Sequence, residues 1–284
     1  MINKFVLIDK PKDYTSRDIC NILQKKLNIK KIGHSGTLDP FATGLLIIGL
    51  NNATKAFDYL PKYKTYSGEV EIGYTTDTLD ITGKIIKKSN KDLNIEELKK
   101  IIDNNFKNKV YSQRIPDYSA AKLNGLKRYE LARKKVELPN KYKEVQIKDF
   151  LINQISDKKF NFKVTVSTGT YIRQLTNDLT KILGMESTLI KLRRESIGSI
   201  DVQKANKVTD KNLTMIDLTS LVNLKILNLD ANNYEPLILG KIINYPTKNN
   251  ENLFFSKFDK ERYAIIEKVD IDKLKIKRLI NDRK

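Results

Sequence analysis

One short stretch of the chain collects most of its chemically informative residues. Residues 33–44 read GHSGTLDPFATG and contain the chain's only histidine, His34, and a carboxylate, Asp39, directly before a proline. The proline disfavours helical backbone at Asp39, and glycines permit close approach of another backbone or a ligand. An apolar run, 45–50, follows at once. We therefore expect Asp39 on a loop anchored by a buried strand, where a carboxylate could act as a covalent catalyst.

Two further residues are candidates for a site, each with an ordinary alternative. Arg173 falls in the first turn of a predicted helix, where the helix dipole disfavours a cation, so an acid or a phosphate is expected nearby. Otherwise it is an exposed arginine with little effect. Tyr66 lies at the start of a predicted strand and could stack on a base or move a proton, or simply pack on the inner sheet face. His34 could equally be a loop histidine with a satisfied hydrogen bond.

The sequence offers little to a metal ion. Asp77 and Asp80 lie in TTDTLDITG, which lacks the further oxygen ligands and the glycine spacing of a calcium loop, so a turn is predicted there. A single cysteine, Cys20, excludes an internal disulfide, and one cysteine with one histidine excludes the usual zinc sites. No dinucleotide-binding motif is present either.

The charge balance favours a polyanionic partner. The chain carries 53 Lys and Arg against 34 Asp and Glu, a net charge of +19, which favours nucleic acid. Part of the lysine excess could instead reflect codon usage in an A- and T-rich genome. Between 122 and 143, basic residues alternate with Tyr129 and Tyr142, a pattern that suits a phosphate backbone with unstacked bases or, by default, a solvated face. No run is long enough for a signal peptide or a membrane span, so a cytoplasmic protein is expected.

Strand and helix patterns alternate irregularly along the chain. Strands are predicted over 5–8, 45–50, 66–74 and 160–166, and helices over 15–31, from Asn94 onward, and over 172–183 before Gly184. Because the order lacks regular βαβ units, an α+β fold with a largely antiparallel sheet is predicted. Beyond residue 228, strand-like runs at Leu237–Leu239 with Ile242–Ile243, at Leu253–Phe255 and at Ala264–Ile266 flank a polar tract, 245–251. They predict a small β-rich module, so the chain divides into domains 1–227 and 228–284.

Several motifs together resemble those of one enzyme family. GHSGTLDPFATGLL resembles the catalytic motif of the TruB-type pseudouridine synthases, which isomerise a uridine (position 55) in the T arm of transfer RNA. Other segments follow in the order of the family: Asp9-Lys10-Pro11, Lys64-Thr65-Tyr66, Thr76-Asp77-Thr78, Tyr118-Ser119-Ala120-Ala121-Lys122, Tyr129-Glu130-Leu131-Ala132-Arg133, Gly169-Thr170-Tyr171-Ile172-Arg173 and Leu192-Arg193-Arg194. Together these segments cover roughly the first two hundred residues.

The resemblance assigns roles residue by residue. It implies that Asp39 is the catalytic aspartate, Tyr66 the active-site tyrosine and Arg173 the arginine that pairs with the aspartate. It implies substrate contacts for four more residues: His34, which helps to draw the target nucleotide out of its stack, Lys10, Tyr171 and Lys122. The nucleotide has to flip out because its reacting atoms are buried in the folded T loop. Whether the carboxylate attacks the base or the sugar stays open.

The family also implies an architecture and a set of partners. These are a catalytic domain around a central, mainly antiparallel sheet flanked by helices, a C-terminal RNA-binding module of the PUA type, no cofactor and no metal. The implied partner is the T arm of tRNA, bound by a monomer without a membrane or a guide RNA. Two departures are Ile115-Pro116, where the family often has Pro-Pro, and a short terminal module. The rival hypotheses are a guide-RNA-dependent relative, a non-catalytic RNA-binding or RNA-folding protein and, least favoured, a DNA-binding protein.

Overall fold

The computed structural model describes residues 3–247, 251–259 and 262–280, and within these ranges strands outnumber helices. The α-helices are α1 (Ser16–Leu27), α2 (Ile95–Ile101), α3 (Arg128–Arg133), α4 (Ile172–Lys181) and α5 (Ala231–Ile238). The strands are β1 (Phe5–Lys10), β2 (Ile32–His34), β3 (Thr43–Leu50), β4 (Tyr63–Ile72), β5 (Tyr74–Thr76), β6 (Ile85–Lys88), β7 (Lys109–Arg114), β8 (Lys122–Leu123), β9 (Leu126–Lys127), β10 (Tyr142–Ser156), β11 (Lys159–Ser167), β12 (Ser187–Ile197), β13 (Ile200–Asp201), β14 (Asn206–Lys207), β15 (Met215–Ile216), β16 (Lys225–Ile226), β17 (Ile243–Asn244), β18 (Leu253–Lys257), β19 (Tyr263–Asp270) and β20 (Lys273–Ile280).

A large central sheet organises the first part of the chain. Its strands lie in the order β14-β1-β3-β12-β4-β11-β10-β7, with β2, β13 and β15 attached at the side. Neighbours are antiparallel except for β1 with β14 and β3 with β12. The predicted α+β class with a mainly antiparallel sheet is therefore confirmed.

Both faces of the β1–β3 pair are buried, which explains why these strands are continuous apolar runs. Phe5 and Leu7 share one face with Leu45 and Ile47. The alternate residues of both strands face the other way and pack under α1, whose contributions are Ile19, Cys20 and Leu23. In contrast, β11 alternates buried and exposed residues along its length.

Local capping sets the ends of the helices. The predicted capping box forms at α1, where Thr15 accepts from the Asp18 N–H and the Asp18 carboxylate accepts from the Thr15 N–H. The helix ends before the predicted residue 31 because Asn28 adopts left-handed backbone (φ 49°) and closes the last turn. The predicted strand 66–74 is also interrupted. Gly73 (φ 118°) separates β4 from β5, and β4 begins earlier, at Tyr63.

A second sheet, in the order β16-β18-β19-β20-β17, forms the C-terminal part of the chain. The predicted strand at Leu237–Leu239 is wrong: Leu237 lies in α5, which Asp230 caps, and its buried side chain packs against this sheet. The strands predicted around Ile243, Leu253 and Ala264 are present, whereas β20 was not predicted. The polar tract 245–251 includes residues 248–250, which lie outside the described residues. One strand of this second sheet, β16, lies before residue 228. The domain boundary predicted at 227/228 stays a prediction.

The second sheet packs directly on the first. Phe255, Tyr263, Ile265 and Ile280 share one buried cluster with residues of β1 and β3. This contact covers the face of the β1–β3 pair that is opposite to α1, and the Asp39 loop is fastened on the α1 side. Among the helices that the structure describes, none has the length and apolarity required to cross a bilayer.

Candidate active site

Asp39 and Arg173 form a two-pronged ion pair. Asp39 lies on the loop between β2 and β3, and Arg173 is the second residue of α4, 134 positions later. Arg173 Nε lies 2.9 Å from Asp39 Oδ2, and Nη2 lies 3.3 Å from Oδ1. The arginine side chain is 6% exposed, whereas that of Asp39 is 34% exposed. The guanidinium therefore holds the carboxylate from the protein side and leaves it accessible to a ligand.

Arg173 is fixed by more than one acceptor. Its Nη1 donates to the Thr78 carbonyl at 2.7 Å, and its Nη2 donates to the Tyr118 carbonyl at 2.8 Å. The Asp80 carboxylate lies 3.5 Å from Nη1. Two acids thus compensate a cation in the first turn of a helix, as the dipole argument predicted. The alternative of an exposed surface arginine is wrong.

Asp80 was predicted only as a turn residue, and the turn is present. Its carboxylate, however, is buried and accepts from the Thr78 hydroxyl at 2.9 Å and the Thr82 N–H at 2.9 Å, besides facing Arg173. The pattern Thr78-x-Asp80-x-Thr82 is typical of side chains that fold back on their own turn. That pattern indicates how the carboxylate is held, but only the tertiary structure places it on Arg173.

Tyr66 lies on the inner face of β4 and is 8% exposed. It belongs to the same buried cluster as Leu38 and Phe41, the residues on either side of the Asp39-Pro40 step. Tyr66 is therefore a core-facing aromatic that packs near the loop that carries Asp39, and its role in stacking on a base or moving a proton stays a prediction.

Lys10 holds the Asp39 loop from behind. It is completely buried, and its ammonium group donates to the carbonyls of Pro11 (2.8 Å), Tyr14 (2.7 Å) and Pro40 (3.2 Å). Burial lowers the pKa of Lys10 to about 8, and the attraction of Asp39 offsets part of this effect. The expected direct contact between Lys10 and the substrate finds no support in this position, because its three donors already have acceptors.

The loop is also attached to the start of α1. The Leu38 N–H donates to the Ser16 hydroxyl at 2.9 Å, and that hydroxyl donates in turn to the Leu38 carbonyl at 3.3 Å. Beyond the proline, the Ala42 N–H donates to the Asp39 carbonyl at 3.1 Å. These bonds fix the backbone on both sides of the carboxylate, as a preorganised catalytic group requires.

His34 is the last residue of β2 and is half-buried. Its Nδ1 is enclosed and makes no hydrogen bond of normal geometry within the described residues. Burial, together with the positive charges of Arg17, Arg194 and Lys64, lowers the pKa of His34 to about 4. The imidazole is accordingly neutral at neutral pH.

This depressed pKa predicts a pH effect on stability. Between pH 6.5 and pH 4 the unfolded chain binds more protons at His34 than the folded chain does, so the free energy of unfolding falls as the pH falls through this window. In His34→Gln this contribution is absent, and the loss of stability from pH 7 to pH 4 should be smaller by about 1–3 kcal/mol. Urea unfolding of both proteins across the window measures the difference. Parallel curves for the two proteins would contradict the burial of a neutral imidazole.

Neither Tyr171 nor Lys122 makes a hydrogen bond or an ion pair with Asp39 or with the Arg173 side chain. Tyr171 occupies the position just before α4, two residues ahead of Arg173, and its backbone N–H and carbonyl both bond to the Gln113 side chain. Lys122 is exposed on the β8–β9 hairpin, opposite Lys127. The preceding Tyr118 connects this hairpin to the site through its carbonyl bond to Arg173.

One residue of the basic segment 122–143 has a structural role instead. Arg128 is 1% exposed and pairs with Asp117 at 2.7 Å, while also donating to the carbonyls of Pro116 and Pro139. It therefore ties the segment together. The other cations of this segment with described side chains are at least partly exposed.

Residues 24–172 match the profile described as "TruB family pseudouridylate synthase (N terminal domain)". Over 98% of this chain and 95% of the relative, the sequence is 35% identical to "tRNA pseudouridine synthase B" of Mycoplasma mobile. The chain belongs to the TruB family. Identity to the proteins of the same name is 39% for Lactobacillus acidophilus, over 74% of this chain and 73% of the relative, and 40% for Aquifex aeolicus, over 70% of each. As a TruB-family member the protein is an isomerase, a pseudouridine synthase.

Solved structures share the fold of this TruB-family chain. A chain of "Crystal Structure of a Cbf5-Nop10-Gar1 Complex" superposes with a TM-score of 0.72 over 99% of this chain and 85% of that chain, at 18% identity. A chain of "Structure of H/ACA RNP bound to a substrate RNA containing 2'-deoxyuridine" gives 0.71 over 99% and 86%, at 17% identity. The pseudouridine synthase fold expected from the sequence is thereby confirmed.

Among the described residues, no cluster of three or more His, Cys, Asp or Glu side chains is arranged to hold a metal ion.

Proposed function

We propose that this protein converts uridine 55 in the T arm of tRNA to pseudouridine, with Asp39 as the covalent catalyst. The observation that carries the proposal is the Asp39–Arg173 pair, in which a carboxylate is held at two points and still reaches solvent. The net charge of +19 suits a polyanionic substrate. The relatives named tRNA pseudouridine synthase B align with almost the whole chain in one case and about 70% of it in others.

The reaction requires one bond to be exchanged for another. The N1–C1′ bond of the flipped uridine breaks, the uracil turns, a C5–C1′ bond forms, and C5 loses a proton while N1 gains one. Asp39 serves this exchange by bonding transiently to either the base or the sugar and leaving again. No electrons are gained or lost overall, so these residues need no redox partner.

We assign separate roles to Arg173 and Tyr66. Arg173 is buried and holds Asp39 at two points, so we assign it to orienting the carboxylate rather than to contacting RNA. Tyr66 packs in the same buried cluster as Leu38 and Phe41 of the loop, which supports assigning it to stacking on uracil or to assisting the loss of the C5 proton.

The remaining assignments concern RNA binding. His34, neutral at physiological pH, would fill the volume that the flipped nucleotide leaves in the T loop. Tyr171 and Lys122 would contact RNA around the entrance, and the module 228–284 would add a PUA-like RNA-binding surface. We infer a monomer that reads tRNA without a guide RNA.

Single-nucleotide mapping of pseudouridine tests the proposed site. Purified protein is incubated with an unmodified tRNA transcript and with a matched transcript in which uridine 55 is replaced by cytidine. We expect complete conversion at position 55 of the first RNA and none in the second. Modification at other uridines alone, or only after a guide RNA is added, would overturn the proposal.

A further inference from the structure

Two buried cations share the sheet face of Tyr66. Lys64 precedes Tyr66 by two positions on β4, and Arg194 lies directly opposite Tyr66 on β12. Their exposures are 7% and 0%. Because side chains two positions apart on a strand point to the same face, Lys64 and Tyr66 project together, about 6.6 Å apart along β4.

Neither cation is neutralised by a carboxylate. Arg194 donates only to the carbonyls of Leu45 (2.6 Å) and Gly36 (3.2 Å), and its buried Nη1 has no acceptor among the described residues. The Lys64 ammonium makes no hydrogen bond or ion pair with any residue that the structure describes. Burial, reinforced by the Arg194 charge, lowers the pKa of Lys64 to about 7. An unpaired buried cation is unfavourable, and an anion would relieve it.

The loop that contains His34 passes close to both cations at Gly36. A Cβ placed on Gly36 would lie 2.8 Å from Lys64 Nζ and 3.9 Å from Arg194 Nη1, and Gly36 has a φ of 147° that other residues rarely adopt. The adjacent Ser35 hydroxyl is buried and likewise lacks a partner within the described ranges. Lys64, Ser35, Gly36 and His34 line one cavity of about 580 Å³ that opens beside Lys62 and Thr168.

We propose that Lys64 and Ser35, with the buried charge of Arg194 behind them, form a binding site for an RNA phosphodiester group next to the flipped uridine. This inference rests on the proposed function. A phosphodiester is the anion that an RNA brings wherever its base enters the site, and the short distance along β4 from Tyr66 is one that a single nucleotide spans. Phosphate contacts fix the position of a nucleic acid. A contact inside a cavity would fix the nucleotide more firmly than exposed lysines can, since low polarity strengthens charge-assisted hydrogen bonds.

A pair of matched variants tests the site by binding alone. In Lys64→Met, affinity for an unmodified T-arm stem-loop should fall about tenfold, and the slope of log affinity against log salt concentration should fall by about 0.7–0.9, the value for one lost phosphate contact. Lys163→Met is the control, because Lys163 is exposed on the opposite face of the neighbouring strand β11. Its slope should match the wild type. Equal slopes for the two variants would overturn the proposal.

Stability separates a ligand site from a structural role. Lys64→Met removes an unpaired buried cation, so its melting temperature in the absence of RNA should equal or exceed that of the wild type. A structural lysine would give a lower one. A loss of affinity together with a lower melting temperature would therefore count against a phosphate site.

Replacing single phosphodiester groups of the RNA by uncharged methylphosphonate linkages locates the contact. This experiment stays informative even if a protein variant does not fold, because the wild-type protein is measured as well. Each stem-loop carries one methylphosphonate linkage, and its affinity is compared with that of the unmodified stem-loop. The wild-type protein should lose most affinity when the linkage lies beside the target uridine. Lys64→Met should lose no further affinity at that linkage. Equal losses at every linkage in the wild type would overturn the proposal. Because these readouts are binding, a linkage-specific effect without isomerisation would refute the proposed function and leave the phosphate site standing.

Discussion

Asp39→Asn should abolish pseudouridine formation while the affinity for tRNA changes by less than about tenfold. Asparagine keeps the shape of the side chain but cannot form the transient bond to uridine, so the single-turnover rate should fall by about 10⁴-fold or more. The loop should stay in place, because Lys10 and Ser16 hold its backbone independently of the carboxylate.

The measurement is single-turnover conversion of a tRNA transcript, with binding measured on the same preparations. Asp157→Asn is the matched control, since Asp157 is exposed in the turn between β10 and β11, and it should behave like the wild type. Turnover by Asp39→Asn comparable to that of the wild type would remove Asp39 from its assigned role.

Arg173→Ala should impair both the chemical step and the fold. Asp39 loses its two-pronged partner, and the buried Asp80 is left without the cation that faces it. We expect the single-turnover rate to fall by about 10²–10³-fold. The free energy of unfolding should fall by about 3–5 kcal/mol, as for other buried pairs that lose one member.

A second substitution separates these two effects. In Arg173→Ala/Asp80→Asn the unpaired buried charge is removed, so much of the stability should return while the rate remains low. Arg278→Ala is the control for stability, because its ion pair with Asp58 is exposed and should contribute less than about 1 kcal/mol. A defect of Arg173→Ala in RNA affinity alone, with a wild-type single-turnover rate, would contradict the orienting role.

Features set by neighbouring residues could be predicted from the sequence. The capping box of Thr15 and Asp18, the cap at Asn94 and the alternation in β11 all depend on interactions within a few positions. The prediction failed where a distant contact decided the outcome. Leu237 and its neighbours are apolar enough for a strand, yet Asp230 starts a helix that buries Leu237 on the second sheet.

The candidate site follows the same division. The sequence by itself determined which residue types are present and which motif surrounds Asp39. It indicated that the cation of Arg173 needs an acid nearby, and the resemblance to the family named Asp39 as that acid. Only the tertiary structure decided that Asp80 joins the pair, that the donors of Lys10 face the protein interior, and that Lys64 and Arg194 meet without a carboxylate. The physical reason is that burial and pairing arise between residues far apart in the chain, and no local pattern records which charges the fold encloses together.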